Sequence, residues 1–138
     1  MTLVFLGSLG ERSEAEVLQA IGRAASLVPV RLDRRAYWPG PRVLCAAASV
    51  APDFDRLVTG LRERLMAAGF AVDAKPFQAH VTLARKVRPP ASSDEPLAAP
   101  ISWQPTGIHL MASLVETAGR PAGTPRYMVR GVVAFGPP

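Results

Sequence analysis

The chain has 138 residues, about the size of one domain, so two independent hydrophobic cores are not expected. Apolar residues make up 49% and charged residues 20%. This balance excludes a disordered chain, and no apolar run reaches the ~18 residues of a membrane span. The formal net charge is +5, and all basic residues except Lys75 and Lys86 are arginines. Arginine's planar fork of donors suits phosphate oxygens, so the composition fits an RNA partner, and it equally fits the coding bias of a genome rich in G and C.

The apolar and β-branched runs predict several short strands. In chain order these strands lie at residues 2–6, at Val30 and Leu32, and at 43–49, 70–73, 80–85, about 106–116 and about 126–135. Proline is frequent in residues 37–41 and 87–100, which are therefore predicted to be loops.

Two helices are predicted between these strands. Ser13 and Glu16 have the spacing of a capping box, and apolar residues recur behind them at helical intervals, so a helix is expected over about residues 14–27. Asp53 is expected to cap a second helix, and Gly69 stands where that helix needs a left-handed residue at its end. Helices combined with antiparallel hairpins predict an α+β fold.

Few residues are available for cofactor chemistry. Cys45 is the only cysteine and lies in an apolar strand, so it is predicted to be an inert core thiol in a cytoplasmic protein without disulfides. With one cysteine and two histidines, no cluster has zinc spacing, and no glycine-rich loop fits a nucleotide-binding motif. The N-terminus has no basic region ahead of its apolar run and does not resemble a signal peptide. We therefore expect no metal, no cofactor and no membrane partner.

The strongest candidate for chemistry is the segment His80-Val81-Thr82-Leu83. Residues two apart on a strand project from one face, so the imidazole of His80 stands beside the hydroxyl of Thr82, with Arg85 following near the strand's end. An imidazole can shuttle a proton, and the other two groups can stabilise charge on phosphoryl oxygens. The same residues would also suit the polar side of an amphipathic strand, so the four residues alone leave a structural role open.

In its context this segment strongly resembles the second H-x-T-x motif of the 2H phosphoesterases. The closest group is the RNA 2',3'-cyclic phosphodiesterases, also called 2'-5' RNA ligases. The resemblance covers essentially the whole chain through further stretches in matching order: Thr2 to Gly7, Pro41 to Leu44, Lys75 to Phe77, Leu110 to Leu114, and Tyr127. It implies a single domain of two pseudo-symmetric lobes, each an antiparallel sheet with helices outside, around a central cleft.

The resemblance also implies a reaction and its residues. RNA ending in a 2',3'-cyclic phosphate would be hydrolysed to a 2'-phosphate, and 2'-5' linkages would be formed or cleaved at the same site. The implied catalytic residues are His80, acting as base, with Thr82 and Thr2 facing the same cleft. The implied substrate-binding residues are Arg85, Phe77, Arg42 and Tyr127. The particular RNA substrate, the favoured direction and the oligomeric state are left open.

Superposing the second motif on the first places Thr2 opposite Thr82 and the first histidine one residue before Met1. We expect that the start codon is misplaced or the chain truncated, and that the 138 residues alone form an impaired enzyme. If the half-site was truly lost, the alternative is a non-catalytic protein that binds nucleotides or RNA ends. The second histidine of the chain, His109, has no threonine two residues on and is predicted to be an ordinary polar residue of its strand.

Overall fold

The computed structural model of the protein describes residues 1–22, 28–73, 75–114 and 126–136. In chain order the elements are α1 (Glu14–Ile21), β1 (Val30–Trp38), β2 (Val43–Ala47), α2 (Pro52–Ala67), β3 (His80–Arg85), β4 (Asp94–Trp103), β5 (Gly107–Leu114) and β6 (Arg126–Ala134). The two helices and two antiparallel sheets confirm the predicted α+β class. None of the helices among the described residues is long and apolar enough to cross a membrane.

The chain divides into two compact units. Unit 1 consists of Met1–Ser8 and Val28–Pro105, and unit 2 of Leu9–Leu27 and Thr106–Pro138. Unit 1 contains the four-stranded sheet in the order β3-β2-β1-β4 together with α2, whereas unit 2 contains α1 and the two-stranded sheet of β5 and β6.

The core of unit 1 forms where α2 meets the inner strands of the sheet. The apolar residues of α2 recur at helical spacing and are all buried: Phe54, Val58, Leu61 and Leu65. Phe54 packs in one cluster with Val30, Leu32 and Ala46 of the sheet, and Phe77 and Val81 lie against that cluster. Burying a side chain of this kind stabilises the fold by about 1.5–3 kcal/mol, so this cluster anchors the start of β3.

In unit 2, α1 packs against β6. The capping box is present as predicted, because the Glu16 amide donates to Ser13 Oγ at 3.2 Å and the Ser13 amide donates to a Glu16 carboxylate oxygen at 2.7 Å. A Cβ at Gly131 would lie 2.5 Å from Leu18, so glycine permits the close approach of α1 to β6. The helix ends at Ile21, and residues 23–27 of the predicted helix lie outside the described residues.

Two predicted strands, 2–6 and 70–73, are wrong. Residues 1–9 form no strand, and the side chain of Phe5 is 73% exposed. An apolar run forms a strand only when a neighbouring strand provides hydrogen-bond partners for its backbone, and residues 2–6 pair with none of the described strands. In the second case the Phe70 amide donates to the Leu65 carbonyl oxygen at 2.9 Å. That bond ties the backbone to the end of α2 instead of a sheet, with Gly69 in the expected left-handed conformation (φ 81°).

The two proline-rich predicted loops are also partly wrong. Tyr37 and Trp38 belong to β1, and only residues 39–42 form the turn. β4 runs through part of the predicted loop 87–100 and contains Pro96 and Pro100. It is an edge strand, so a missing amide hydrogen can face away from the ladder.

The start of α2 also differs from the prediction. The helix begins at Pro52, whose fixed φ suits the first helical turn, so Ala51 occupies the N-cap position. An alanine side chain has no acceptor and therefore provides no cap. Asp53 instead lies inside the first turn and forms an ion pair with Arg56.

The structure confirms the last two predicted strands as β5 and β6. Residues 115 and 116 of the first of these lie outside the described part of the chain.

Candidate active site

β3 coincides with the predicted strand of residues 80–85 and pairs with β2 through an irregular register. His80 lies opposite Ala47, Thr82 opposite Cys45, and Arg85 opposite Val43, so Leu83 is the extra residue of a β-bulge. Val43, Cys45 and Ala47 alternate along β2 and share a face, and directly opposed residues share theirs. The bulge therefore brings Arg85 to the face of His80 and Thr82, whereas regular alternation would have turned it away.

The imidazole of His80 is held on two sides. Its Nδ1 lies 2.7 Å from the carbonyl oxygen of Gln78. A carbonyl oxygen only accepts, so Nδ1 carries the hydrogen and donates it. The ring of Trp38 meets the imidazole edge-on, with 4.5 Å between ring centroids and 64° between planes. The tautomer that results leaves Nε2 of the neutral ring free to accept a proton.

His80 lines an open pocket of about 370 Å³ in unit 1, and Thr2 lines the same pocket. The remaining lining combines apolar and aromatic side chains with both signs of charge: Leu3, Val4, Phe5, Trp38, Arg62, Asp73, Lys75, Pro76, Phe77 and Gln78. The structure thus brings together the predicted residues Thr2, Phe77 and His80. Thr82, Arg85 and Arg42 do not line this pocket, and Tyr127 belongs to unit 2.

The charged groups of the pocket centre on Asp73. Its carboxylate accepts from the Lys75 amide at 3.0 Å and lies 3.3 Å from Lys75 Nζ. These bonds, above all the one to the Lys75 amide, hold the pKa of Asp73 below its usual range, and the nearby charge of Arg62 acts in the same direction. The carboxylate is therefore ionised and already paired with Lys75 at neutral pH.

Cys45 is fully buried on β2 beside Thr82 of the motif, as predicted for a core thiol. Burial raises the pKa of the thiol, and the opposing effects of a hydrogen bond with Thr82 and of the charge on Arg85 are smaller. Low accessibility and a raised pKa both disfavour the reactive thiolate. Cys45 is therefore a buried packing residue of the neighbouring strand and is not suited to act as a nucleophile.

Four exposed cations form what we call the basic edge of unit 1: Arg42, Arg85, Lys86 and Arg88. The amide of Val87 donates to the Arg42 carbonyl oxygen at 3.1 Å, which ties the turn before β2 to the end of β3. Within the described part of the chain, these four cations form no ion pair, while acidic residues of β4 pair with Arg34 and Arg35 of β1. The basic edge thus keeps its charge available for an anion.

Arg42 and Lys86 flank this connection in the left-handed conformation, with φ values of 54° and 56°. Non-glycine residues seldom adopt it, and it costs free energy that the surrounding contacts must offset. The basic edge is therefore built on a defined backbone geometry.

The two remaining candidates from the sequence lie in unit 2. Tyr127 opposes Ser113 on the β5–β6 ladder and is 59% exposed, and His109 is exposed on β5 opposite Val132. Among the described residues, no group of three or more His, Cys, Asp or Glu side chains is placed to hold a metal ion.

Arg62 and Trp38 line the pocket although the sequence interpretation had not assigned them to the site. Arg62 follows Phe54 and Val58 at intervals of four residues. A cation therefore lies on the same face of α2 as these buried side chains. A charge at such a position is the signal that could have identified it. The contact of Trp38 with His80 depends on the extension of β1 through residue 38, in a segment predicted to be a loop.

Solved structures similar to this chain include one described as a phosphoesterase and several of LigT from E. coli. A crystal structure described as a phosphoesterase has a TM-score of 0.77 and 26% sequence identity, covering 97% of this chain and 75% of the other. LigT of E. coli in its apo form has a TM-score of 0.75 and 25% identity, with coverages of 97% and 74%. LigT complexed with NADP+ has a TM-score of 0.74 and 26% identity, with the same coverages.

A protein from Thermus thermophilus, TT0787, has 31% identity and a TM-score of 0.65, covering 97% of this chain and 76% of the other. No family model and no curated protein matches the sequence. The structural matches extend over nearly the whole chain, and the two antiparallel sheets with two helices are those of the LigT-like fold. The motif on β3 and these structures together establish that the chain belongs to the 2H phosphoesterase family.

Proposed function

We propose that the protein hydrolyses RNA ends that carry a 2',3'-cyclic phosphate and leaves a 2'-phosphate. The observation that carries this proposal is the state of His80: its Nδ1 donates to the Gln78 carbonyl oxygen, and its ring lines a pocket shared with Thr2 and two cations. An oriented base beside hydrogen-bond donors is the arrangement that phosphodiester hydrolysis requires.

In the proposed reaction, Nε2 of His80 takes a proton from water as the water oxygen forms a bond to phosphorus. The bond from phosphorus to the ribose 3'-oxygen breaks, and that oxygen takes a proton from a second group. By the family resemblance, the second group is the histidine of the first H-x-T-x motif. Formation of a 2'-5' linkage is the same exchange, with the 5'-hydroxyl of a second RNA in place of water.

The other candidate residues would contribute to binding of the RNA substrate. Thr2 lines the pocket and would donate its hydroxyl to a phosphoryl oxygen. Thr82 and Arg85 share the face of His80 and would contribute a hydroxyl and a fork of donors once the RNA is bound. Phe77 presents an aromatic surface in the pocket, and Tyr127 presents one in unit 2, for stacking on bases.

RNA is the substrate that the charge distribution favours. The exposed cations of the basic edge would bind backbone phosphates beyond the reacting one. LigT has been crystallised with a dinucleotide, NADP+, which supports a nucleotide ligand for this fold. Replacing Lys86 and Arg88 by glutamine should make the affinity for single-stranded RNA less dependent on salt. In a plot of log affinity against log salt concentration, the magnitude of the slope should fall by about 0.7 for each phosphate contact that is lost.

The test uses an oligoribonucleotide with a 2',3'-cyclic phosphate end, with ³¹P NMR of the products. The proposal predicts a 2'-phosphomonoester as the only product and a rate that survives EDTA. A 3'-phosphate product would contradict the proposed mechanism. Binding of the oligonucleotide with no turnover, even after a histidine is added before Met1, would instead favour a non-catalytic RNA-end binder.

A further inference from the structure

Arg62 is placed unlike the other arginines of α2. It is half-buried, in line with the buried residues Phe54 and Val58, and lines the pocket that contains His80. Arg56, on the same helix, is paired with Asp53 and its side chain is 76% exposed. Arginine is costly to place among buried residues, so its position calls for a partner.

The guanidinium of Arg62 has a donor without an acceptor. Its Nε is buried and forms no hydrogen bond with any described residue. Asp73, the acidic residue lining the pocket, accepts from the Lys75 amide and is paired with Lys75 Nζ. A buried donor left unpaired costs free energy, and groups of this kind in native proteins are commonly satisfied by a ligand or by water.

We infer that Arg62 binds the phosphate of a nucleotide held in this pocket. Arg62 lines the pocket, and a guanidinium presents a planar fork of donors that matches two oxygens of a phosphate, which an ammonium does not reproduce. Asp73 is paired with Lys75 as well as lying near Arg62, so the carboxylate offsets the charge of Arg62 only in part. Because Arg62 and His80 line one pocket, the bound phosphate is the one on which His80 acts. The identity of that phosphate as the reacting group rests on the proposed function.

This assignment gives the pocket its own cation, separate from the basic edge. Arg85 lies at the far end of β3 from His80 and does not line the pocket. Substitutions at the two places should therefore weaken the binding of different ligands. Replacing Arg62 should lower the affinity for every ligand with a phosphate in the pocket, whereas replacing residues of the basic edge should lower the affinity only for longer RNA. A mononucleotide therefore tests Arg62 without the contribution of the basic edge.

The experiment measures binding of inorganic phosphate and of uridine 2'-monophosphate by calorimetry. Arg62→Gln should weaken both by about 10- to 100-fold, the usual effect of losing hydrogen bonds to a charged group. Arg62→Lys should recover only part of the affinity, since it restores the charge and not the fork. Arg56→Gln removes the same charge from an exposed position of the same helix and should change binding by less than about twofold.

A second readout separates binding from a structural role. Arg62→Met removes the unpaired donor and keeps an unbranched apolar side chain, so the melting temperature of the ligand-free protein should stay the same or rise. The increase in melting temperature caused by uridine 2'-monophosphate should be lost. An affinity of Arg62→Gln within about twofold of the wild type overturns the inference, as does a ligand-induced increase that persists in Arg62→Met.

These measurements need no turnover, so they separate the two proposals. If cyclic-phosphate RNA is not hydrolysed but Arg62→Gln weakens phosphate binding, the phosphate site stands and the proposed reaction fails. If hydrolysis proceeds and Arg62→Gln binds uridine 2'-monophosphate normally, the inference on Arg62 alone fails.

Discussion

Replacing His80 by asparagine should abolish most of the hydrolytic activity while keeping the hydrogen bond that orients the side chain at position 80. The amide nitrogen of asparagine can take the place of Nδ1 and keep the 2.7 Å bond to the Gln78 carbonyl oxygen. It offers nothing at the place of Nε2, and an amide does not exchange protons near neutral pH. The substitution thus removes proton transfer and keeps the local hydrogen bond.

The magnitude follows from what is removed. One group that transfers a proton contributes about 10²–10⁴ to the rate, which is about 3–5 kcal/mol of activation free energy. Affinity for uridine 2'-monophosphate should fall much less than the rate, because Thr2 and Arg62 still line the pocket. The loss should therefore appear mainly in kcat and to a smaller extent in KM.

The assay is single-turnover hydrolysis of a cyclic-phosphate oligonucleotide by the wild type and by His80→Asn. The matched control is His109→Asn, which removes the other histidine from an exposed position on β5 and should leave the rate within about twofold. If His80→Asn keeps more than about a tenth of the wild-type rate, His80 is not the base and the reasoning on its tautomer is refuted.

Three further predictions concern other parts of the molecule. Arg85→Ala should lower turnover of cyclic-phosphate RNA by about tenfold or more, with only partial recovery in Arg85→Lys; equal turnover of wild type and Arg85→Ala would remove this residue from the site. A histidine added directly before Met1 completes an H-x-T-x sequence and should raise the rate by about 10²–10⁴ over a matched alanine extension, whereas equal rates would contradict the two-histidine mechanism. Asp33 accepts hydrogen bonds from the Ser49 hydroxyl and amide at 2.8 and 2.9 Å, which lower its pKa in the folded state. The stability that the Asp33 carboxylate contributes is therefore present above about pH 4 and lost as pH falls through the lowered pKa. Asp33→Asn should thus have a lower melting temperature than the wild type at pH 7, and the gap between the two melting temperatures should narrow in acid. A gap that does not change with pH would contradict this origin.

The parts of the fold that local sequence decides agreed with the sequence interpretation. The capping box of Ser13 and Glu16 and the left-handed Gly69 depend on neighbouring residues. The strand from His80 to Arg85 also formed as predicted, because β2 offers it a ladder. The failures concern pairing. Residues 2–6 have the composition of a strand without a ladder, and β4 forms despite Pro96 because it lies at an edge where prolines are tolerated.

The residues of the candidate pocket could be predicted where a motif marks them and not where packing places them, and their roles remain predictions. His80 was identified from its motif, and Thr2 from the match between the two motifs, and both line the pocket. The side of the strand on which Arg85 projects depends on the bulge at Leu83, which the six letters of β3 do not show. Arg62 entered the site through the packing of α2, and no motif marks it.

The most direct test of the account is a crystal structure of the protein with uridine 2'-monophosphate, the product analogue of the proposed reaction. We expect the phosphate to lie in the unit 1 pocket, with Nε2 of His80 and the guanidinium of Arg62 within hydrogen-bond distance of its oxygens. A nucleotide bound elsewhere, with its phosphate out of reach of His80, would contradict the claim that this pocket is the phosphoesterase site.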